Sequence, residues 1–124
     1  MKKHVALSTE KKVEALGVWL HAHKALQLVN LHVAGRNAWT EALIIVSASS
    51  VRHAQSLADG ILAWCKEQQL EFLSMEGYQT GQWILVDLND VVVNIFQAPT
   101  RELYRLESLW AESPEPVSPQ EALT

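Results

Sequence analysis

The sequence predicts a single α/β domain with a mixed five-stranded sheet flanked by helices. The chain has 124 residues, which suits one domain. Hydrophobic residues make up 48% of it, enough for a buried core and too many for a disordered chain. Segments with helical and strand periodicity follow one another in the order α-β-β-α-β-β-β-α, and such an order favours a sheet covered by helices.

The first helix is predicted over residues 10–24, where apolar side chains recur at three- and four-residue steps. Gly17 should weaken it by about 1 kcal/mol relative to alanine, so this helix depends on packing. Residues 26–34 alternate loosely between apolar and polar and predict a strand. The turn residues at 35–37 end it.

The middle of the chain carries the clearest signals. Residues 42–46 form a continuous apolar run, as in a strand covered on both faces. A serine after it can cap the next helix. That helix has one apolar stripe and should end near Gln69, and residues 72–75 predict a short strand.

A hairpin is predicted from residues 83–86 and 91–96, because β-branched residues dominate both arms and Asn and Asp supply the turn between them. A helix over residues 101–111 follows, with Thr100 as its N-cap. Residues 112–124 are acidic and contain three prolines, so we expect a flexible tail after a domain of residues 1–111.

Composition restricts the class of protein. The net charge of −4 argues against a broad basic face for nucleic acid, and leaves a basic protein partner open. The single cysteine, Cys65, falls on the apolar stripe of the second helix and suits a reducing cytoplasm. No signal peptide or membrane-spanning run is visible, so we expect a cytoplasmic protein without membrane contact.

Neither a metal site nor a catalytic nucleophile is predicted. His21 and His23 lie two apart on a helix and point in different directions, so they do not converge on a metal. Cys65 and His53 lie twelve residues apart on one helix, about 18 Å along its axis. We therefore expect no cofactor and no catalytic residue.

Three features allow two interpretations. Residues 47–52 join a strand to a helix and could hold an anion, but there is no glycine-rich loop and no lysine at the P-loop spacing, so we favour helix capping. Asp87 and Asp90 could bind Mg²⁺, although a tight turn selects the same residues and we favour the turn. Tyr104 and Glu107, three apart on a helix, could form a solvated face or the centre of an interface.

Three segments resemble the ribosomal silencing factor (Iojap) family. Residues 81–96 read GQWILVDLNDVVVNIF, and residues 101–110 are similar to the family ending R-x-x-Y-x-L-E-x-L-W. Upstream, residues 40–53 resemble its T-D-x-x-I-I-x-T-G-x-S-x-R-H stretch. The resemblance covers about residues 26–110. Four departures from the pattern are visible: Glu41 stands for aspartate, Ala48 for glycine and Asn94 for histidine, and an aspartate common in the first strand is replaced near Asn30 or His32.

The resemblance implies a regulator, not an enzyme. Family members bind the large-subunit protein uL14, block association of the 50S and 30S subunits and repress translation under nutrient limitation. Their fold is similar to that of nucleotidyltransferases without the catalytic carboxylates, and the free protein can be a homodimer. The implied uL14 surface comprises the anchors Trp83 and Tyr104, the acid Glu107 for a basic side chain, the rim charge Asp90, the supporting Asn94 and Phe96, and Arg101.

The rival hypothesis is a nucleotidyltransferase-like enzyme that binds nucleotide and Mg²⁺ at residues 47–52. Such an enzyme needs a glycine-serine turn and paired carboxylates on a neighbouring strand. The chain offers Ala48-Ser49 and no Asp-x-Asp or Glu-x-Glu pair in a predicted strand. The sequence therefore favours the silencing factor.

Overall fold

The computed structural model describes residues 7–33 and 40–104, with side chains described as far as Glu102. It contains α1 (Thr9–Ala22), β1 (Leu26–His32), β2 (Ala42–Ala48), α2 (Val51–Gln68), β3 (Ser74–Glu76), β4 (Trp83–Asp87), β5 (Val91–Gln97) and α3 (Ala98–Tyr104). This is the predicted order of elements. The predicted class, a single α/β domain with a mixed sheet flanked by helices, is confirmed.

The five strands form one sheet in the order β1-β2-β5-β4-β3. β2 and β5 are parallel, with Ile44 opposite Val93, and every other neighbouring pair is antiparallel. The chain leaves β2 through α2 and returns through β3 and β4 before it pairs with β2 again. The two strands with the longest apolar runs therefore lie at the centre, and the less apolar β1 and β3 form the edges.

The three central strands β2, β5 and β4 are buried on both faces, and their side chains alternate between the two faces. One face packs against α1 and α2 and includes Ile44, Val93 and Ile95, with Leu16 and Ile61 from the helices. The opposite face carries a second cluster, which we call the far-face cluster: Val33, Leu43, Ile45, Trp83, Leu85, Val92 and Phe96. Burial on two faces explains the continuous apolar run in β2.

α2 has the ends that the sequence predicts. The Ser50 hydroxyl accepts a hydrogen bond from the backbone N–H of His53 at 3.0 Å, which is the N-cap geometry. Gln69 ends the helix in a left-handed conformation, with φ of 58°. Within the helix Cys65 is buried, and that burial raises the pKa of its thiol to about 11.

Several element boundaries differ from the prediction by one to three residues, and those of α3 and β3 have a clear physical reason. α3 begins at Ala98 and not after Thr100, whose hydroxyl instead donates to the side-chain oxygen of Gln82 at 3.2 Å. Pro99 in the first turn costs little there, because a backbone N–H at a helix start has no intrahelical partner. β3 runs over Ser74–Glu76, since its pairing with β4 sets its limits. The predicted end of the last helix and the 112–124 tail lie outside the described residues.

No helix in the described part of the chain is long and apolar enough to cross a membrane.

Candidate functional site

An aromatic and amide group occupies the middle of the far face. Trp83 lies opposite Phe96 in the β4–β5 ladder, and their rings stack with centroids 4.8 Å apart. The Trp83 indole N–H donates to the side-chain oxygen of Asn94 at 2.9 Å. All three side chains are at most 1% exposed. In this conformation the three side chains are closed to solvent, and their predicted roles in partner binding stay predictions.

Asn94 is only partly satisfied in this setting. Its oxygen accepts from Trp83, but its buried side-chain nitrogen has no hydrogen-bond partner. The far face therefore holds a polar residue with an unused donor. A buried unpaired donor costs free energy. Asn94 is therefore a site where polarity is retained at some cost in stability.

Arg101 lies in α3 and is 8% exposed. One of its terminal nitrogens donates to the Ser47 hydroxyl at 2.9 Å, and that hydroxyl lies 3.4 Å from the side-chain oxygen of Gln27. The guanidinium thus connects α3 to β2 and, through the hydroxyl, to β1. Its role in the described structure is to hold α3 against the sheet.

Asp90 forms an ion pair within the chain and keeps 20% of its side chain exposed, and its predicted role as a rim charge stays a prediction. Its carboxylate accepts from the Lys12 ammonium at 2.8 Å and from the Thr9 hydroxyl at 2.8 Å. Lys12 is only 8% exposed, and the backbone oxygen of Asp90 accepts the N–H groups of Glu41 and Ala42. The carboxylate fastens the start of α1 to the β4–β5 turn.

For the two predicted contact residues on the last helix, the structure describes no side chain. Tyr104 is the last residue of α3, and its side chain lies outside the described residues, as does the whole of Glu107. Their predicted roles stay predictions. Of the seven predicted residues, the structure brings together Trp83, Asn94 and Phe96, places Arg101 at the end of β2, and separates Asp90 at the opposite end of β5.

Polar groups of the strand-helix junction at residues 47–52 form hydrogen bonds within the chain. The His53 ring nitrogen Nδ1 accepts the Ser49 backbone N–H at 3.0 Å and lies 3.1 Å from its hydroxyl, while Nε2 donates to the His23 carbonyl at 2.9 Å. These partners assign the Nε2–H tautomer. The interpretation of Ser50 as a capping residue is confirmed. Sequence reasoning missed the Ser49–His53 contact, although a four-residue spacing was the signal.

A cavity of about 480 Å³ opens beside this junction, at the carboxyl ends of the parallel strands β2 and β5. Its lining residues are Leu26, Gln27, Ser47, Ala48, Ser49, Gln97, Ala98 and Pro99. This lining contains no carboxylate, lysine or arginine. It lacks the acidic ligands with which a nucleotidyltransferase holds Mg²⁺.

The β4–β5 turn has the geometry of a turn and not of a metal site. The Asp87 carboxylate accepts the backbone N–H of Asn89, which has a φ of 83°. Burial raises the pKa of Asp87, the bond from Asn89 lowers it, and the charge of Glu71 raises it. Asp90 is paired with a lysine, as above. Among the described residues, no group of three or more His, Cys, Asp or Glu side chains could hold a metal ion.

The fold and the site define a small single-domain α/β protein, and many polar side chains in its described part form contacts within the chain. A family model described as ribosomal silencing factor during starvation, RsfS, matches residues 6–123. The chain belongs to this family, and the resemblance seen in its motifs is confirmed.

Several relatives resemble it over most of its length. The ribosomal silencing factor RsfS of Haemophilus influenzae is 37% identical over 99 residues, covering 80% of this chain and 97% of that protein. The protein of the same name from Halalkalibacterium halodurans is 35% identical, covering 73% of this chain and 78% of its own. A mouse protein named mitochondrial assembly of ribosomal large subunit protein 1 is 25% identical, covering 79% of this chain and 44% of its own.

Solved structures show the same fold. A crystal structure from Bacillus halodurans superposes with a TM-score of 0.74 at 30% identity, covering 82% of this chain and 95% of that one. One from Chromobacterium violaceum has a TM-score of 0.81 at 24% identity, covering 91% and 93% of the two chains. The second likeness concerns the fold alone.

Proposed function

We propose that this chain binds the large ribosomal subunit through protein uL14, blocks association of the 50S and 30S subunits and so represses translation when nutrients are limiting. The observation that carries the proposal is membership of the ribosomal silencing factor family over residues 6–123. That span includes the far-face strands β4 and β5 and the last helix. The residues described above give no support to an enzymatic activity such as nucleotidyl transfer.

The proposed contact surface has two parts. Tyr104 and Glu107 act as direct contacts, the tyrosine as an anchor and the glutamate as partner to a basic side chain. Trp83, Phe96 and Asn94 form a buried group, stacked and hydrogen-bonded, that supports the strands of the far face. A rigid support reduces the entropy lost when the surface binds, because its side chains are already ordered.

Electrostatics favour encounter with a basic partner. The chain carries 14 acidic and 10 basic side chains, a net charge of −4. Opposite charges steer two proteins together and raise the association rate more than the affinity, and salt screens this effect. Association with the large subunit should therefore slow as ionic strength rises.

The proposed mechanism is steric. A chain of 13.9 kDa bound to the face of the large subunit that meets the small one occupies space that the small subunit needs. A specific interface buries about 800 Å² on each partner. Two proteins cannot cover the same patch at once, so binding and subunit joining exclude each other without any chemical step.

Co-sedimentation tests the proposal. Purified chain is pelleted with isolated 50S or 30S subunits, and Tyr104→Ala and Glu107→Ala are compared with wild type. We expect pelleting with 50S alone, weakened about tenfold or more by either change. Glu67→Ala, at an exposed glutamate of α2, is the matched control and should pellet as wild type does.

A second experiment measures whether the bound chain prevents the 50S and 30S subunits from joining. Wild-type chain added before 30S subunits should lower the yield of 70S particles on a sucrose gradient, and Glu107→Ala should do so less. Failure of wild type to pellet with 50S, or pelleting with 30S alone, would contradict the proposal. If the free chain is a homodimer, dissociation on binding 50S should accompany the effect.

A further inference from the structure

β1 is an edge strand whose outer side has no partner among the described residues. The Val33 N–H bonds to the Glu41 carbonyl at 3.0 Å, which identifies the backbone groups that face β2. Since these groups alternate in an antiparallel ladder, the N–H and C=O groups of Asn30 and His32 point away from the sheet. An edge of this kind can accept another extended chain.

A groove runs beside this edge, between α1 and β1. It has a volume of about 460 Å³ and is lined by Val13, Glu14, Gly17, Val18, His21, Ala25, Leu28 and Asn30. We call it the α1–β1 groove. The groove has room at Gly17, because a Cβ built there would have Leu28 Cδ1 as its nearest atom, at 4.0 Å. Val18 on its wall is 68% exposed, so the groove presents apolar surface to solvent.

The negative charge of the residues that line the α1–β1 groove favours a basic ligand over an acidic one. Glu14 supplies a carboxylate, and the lining contains no lysine or arginine. The chain as a whole is acidic. An apolar groove with one negative charge complements a segment that alternates apolar and basic side chains.

From these observations we propose that the α1–β1 groove binds an extended segment of a partner protein, apolar at alternate positions and basic between them, which adds to β1 as a further strand. The backbone of the segment bonds to Asn30 and His32, and its apolar side chains enter the groove beside Gly17. Main-chain bonds then provide affinity, and the groove provides selectivity. This surface is separate from the far face, so the proposal does not rest on the proposed function.

The test uses fluorescein-labelled short peptides and the full chain. One peptide alternates valine and lysine, a second has glutamate in place of lysine, and a third has a central proline that cannot extend the ladder. Binding is followed by fluorescence anisotropy, and amide shifts are mapped by NMR. We expect the valine-lysine peptide to bind about tenfold more tightly than the other two and to shift the amides of Asn30 and His32.

Two variants probe the groove itself. Gly17→Leu fills it with a side chain that favours helix, so the variant should fold and bind the peptide about tenfold more weakly. Glu14→Gln should weaken binding about threefold and lessen its dependence on salt, while Glu67→Gln on α2 should leave both unchanged. Pelleting of Gly17→Leu with 50S subunits should equal that of wild type, which separates this surface from the ribosomal one.

Three results would overturn the proposal. They are equal binding by wild type and a folded Gly17→Leu, equal or tighter binding of the acidic peptide, and amide shifts confined to other parts of the sheet. Self-association that protects Asn30 and His32 and excludes the peptide would also overturn it, because the occupant would then be a second copy of this chain.

Discussion

Asn94 is a polar residue buried on the far face. Alternation along β5 places it beside Val92 and Phe96, in a position where an apolar side chain would be expected. Its oxygen accepts from Trp83, which leaves its own nitrogen unpaired. The sequence motif singled out this position as polar, but only the three-dimensional pairing shows which of its atoms is used.

Asn94→Ala should lower the free energy of unfolding by about 1–3 kcal/mol. The substitution removes the acceptor of a buried indole N–H and leaves a small cavity, while relief of the unpaired nitrogen offsets part of the loss. Urea unfolding followed by tryptophan fluorescence measures the change. Asn30→Ala, at an exposed asparagine of β1, should stay within about 0.5 kcal/mol of wild type. An equal loss in both variants would show that the Trp83 bond is unimportant.

The buried thiol of Cys65 should make the free energy of unfolding depend on pH in the alkaline range. Its pKa is about 11 in the folded protein against a usual 9.0, chiefly because burial disfavours the thiolate. A raised folded pKa means that the protonated thiol is favoured in the native state, so this contribution is complete below pH 9 and is lost as pH rises towards 11.

The comparison that isolates the thiol is Cys65→Ala. The difference in unfolding free energy between wild type and variant should be constant between pH 7 and 8 and should shrink steadily above about pH 9. Other titrating groups cancel in that difference. A difference that stays constant up to pH 10.5 would contradict the assignment.

Two helical glycines, equivalent in helix propensity, differ in how they pack against the rest of the protein. Gly17 in α1 faces the open groove, and Gly60 in α2 packs against Trp19. From the sequence alone both should destabilise their helices equally. The structure distinguishes them, because a Cβ on Gly60 would lie 2.4 Å from two ring atoms of Trp19.

Gly17→Ala should raise the free energy of unfolding by up to about 1 kcal/mol, since alanine favours helix and its methyl group would make an ordinary contact with Leu28 Cδ1 at 4.0 Å. Gly60→Ala should lower it by about 1–3 kcal/mol, because the indole must move and its stack with His23 is disturbed. Thermal unfolding of the pair gives both signs in one experiment. Stabilisation by both changes would mean that Trp19 rearranges without cost.

Sequence reasoning was most accurate for elements whose signals are local. α2 was predicted through its cap, its stripe and its end near Gln69, and the β4–β5 hairpin through its turn residues. It was least accurate for β3, whose limits come from pairing with β4, and for the start of α3. Periodicity and caps act within a few residues, whereas pairing depends on a strand elsewhere in the chain.

At the scale of the whole molecule, a few polar contacts join elements that are far apart in the chain. Lys12 and Asp90 are 78 residues apart and connect α1 to the β4–β5 turn. Arg101 and Ser47 are 54 residues apart and connect α3 to β2. Both contacts lie at ends of the central parallel strands. They add directional contacts to a fold whose two cores are otherwise apolar.

Lys12→Met should lower the free energy of unfolding by about 1–3 kcal/mol. Methionine keeps much of the apolar stem, but the Asp90 carboxylate loses its cation while it stays partly buried. Lys11→Met, at the exposed neighbouring lysine, should change it by less than about 0.5 kcal/mol. Urea unfolding at low and high salt provides the measurement.

A second substitution checks the cause. In the Lys12→Met background, Asp90→Asn should recover part of the loss, because it removes the unpaired charge. Loss of stability in Lys11→Met to the same degree, or no recovery in the double variant, would show that the ion pair does not fasten α1.

The sequence by itself determined the class of fold, the order of the elements, the capped α2 and the family, because periodicity, turn chemistry and motifs are local patterns. Only the tertiary structure decided which residues of the candidate site are accessible. It buried Trp83, Asn94 and Phe96, paired Asp90 with Lys12 and, within residues 7–33 and 40–104, gave the outer edge of β1 no partner strand. Exposure depends on what the rest of the chain brings to each position, and no pattern of neighbours along the sequence contains that information.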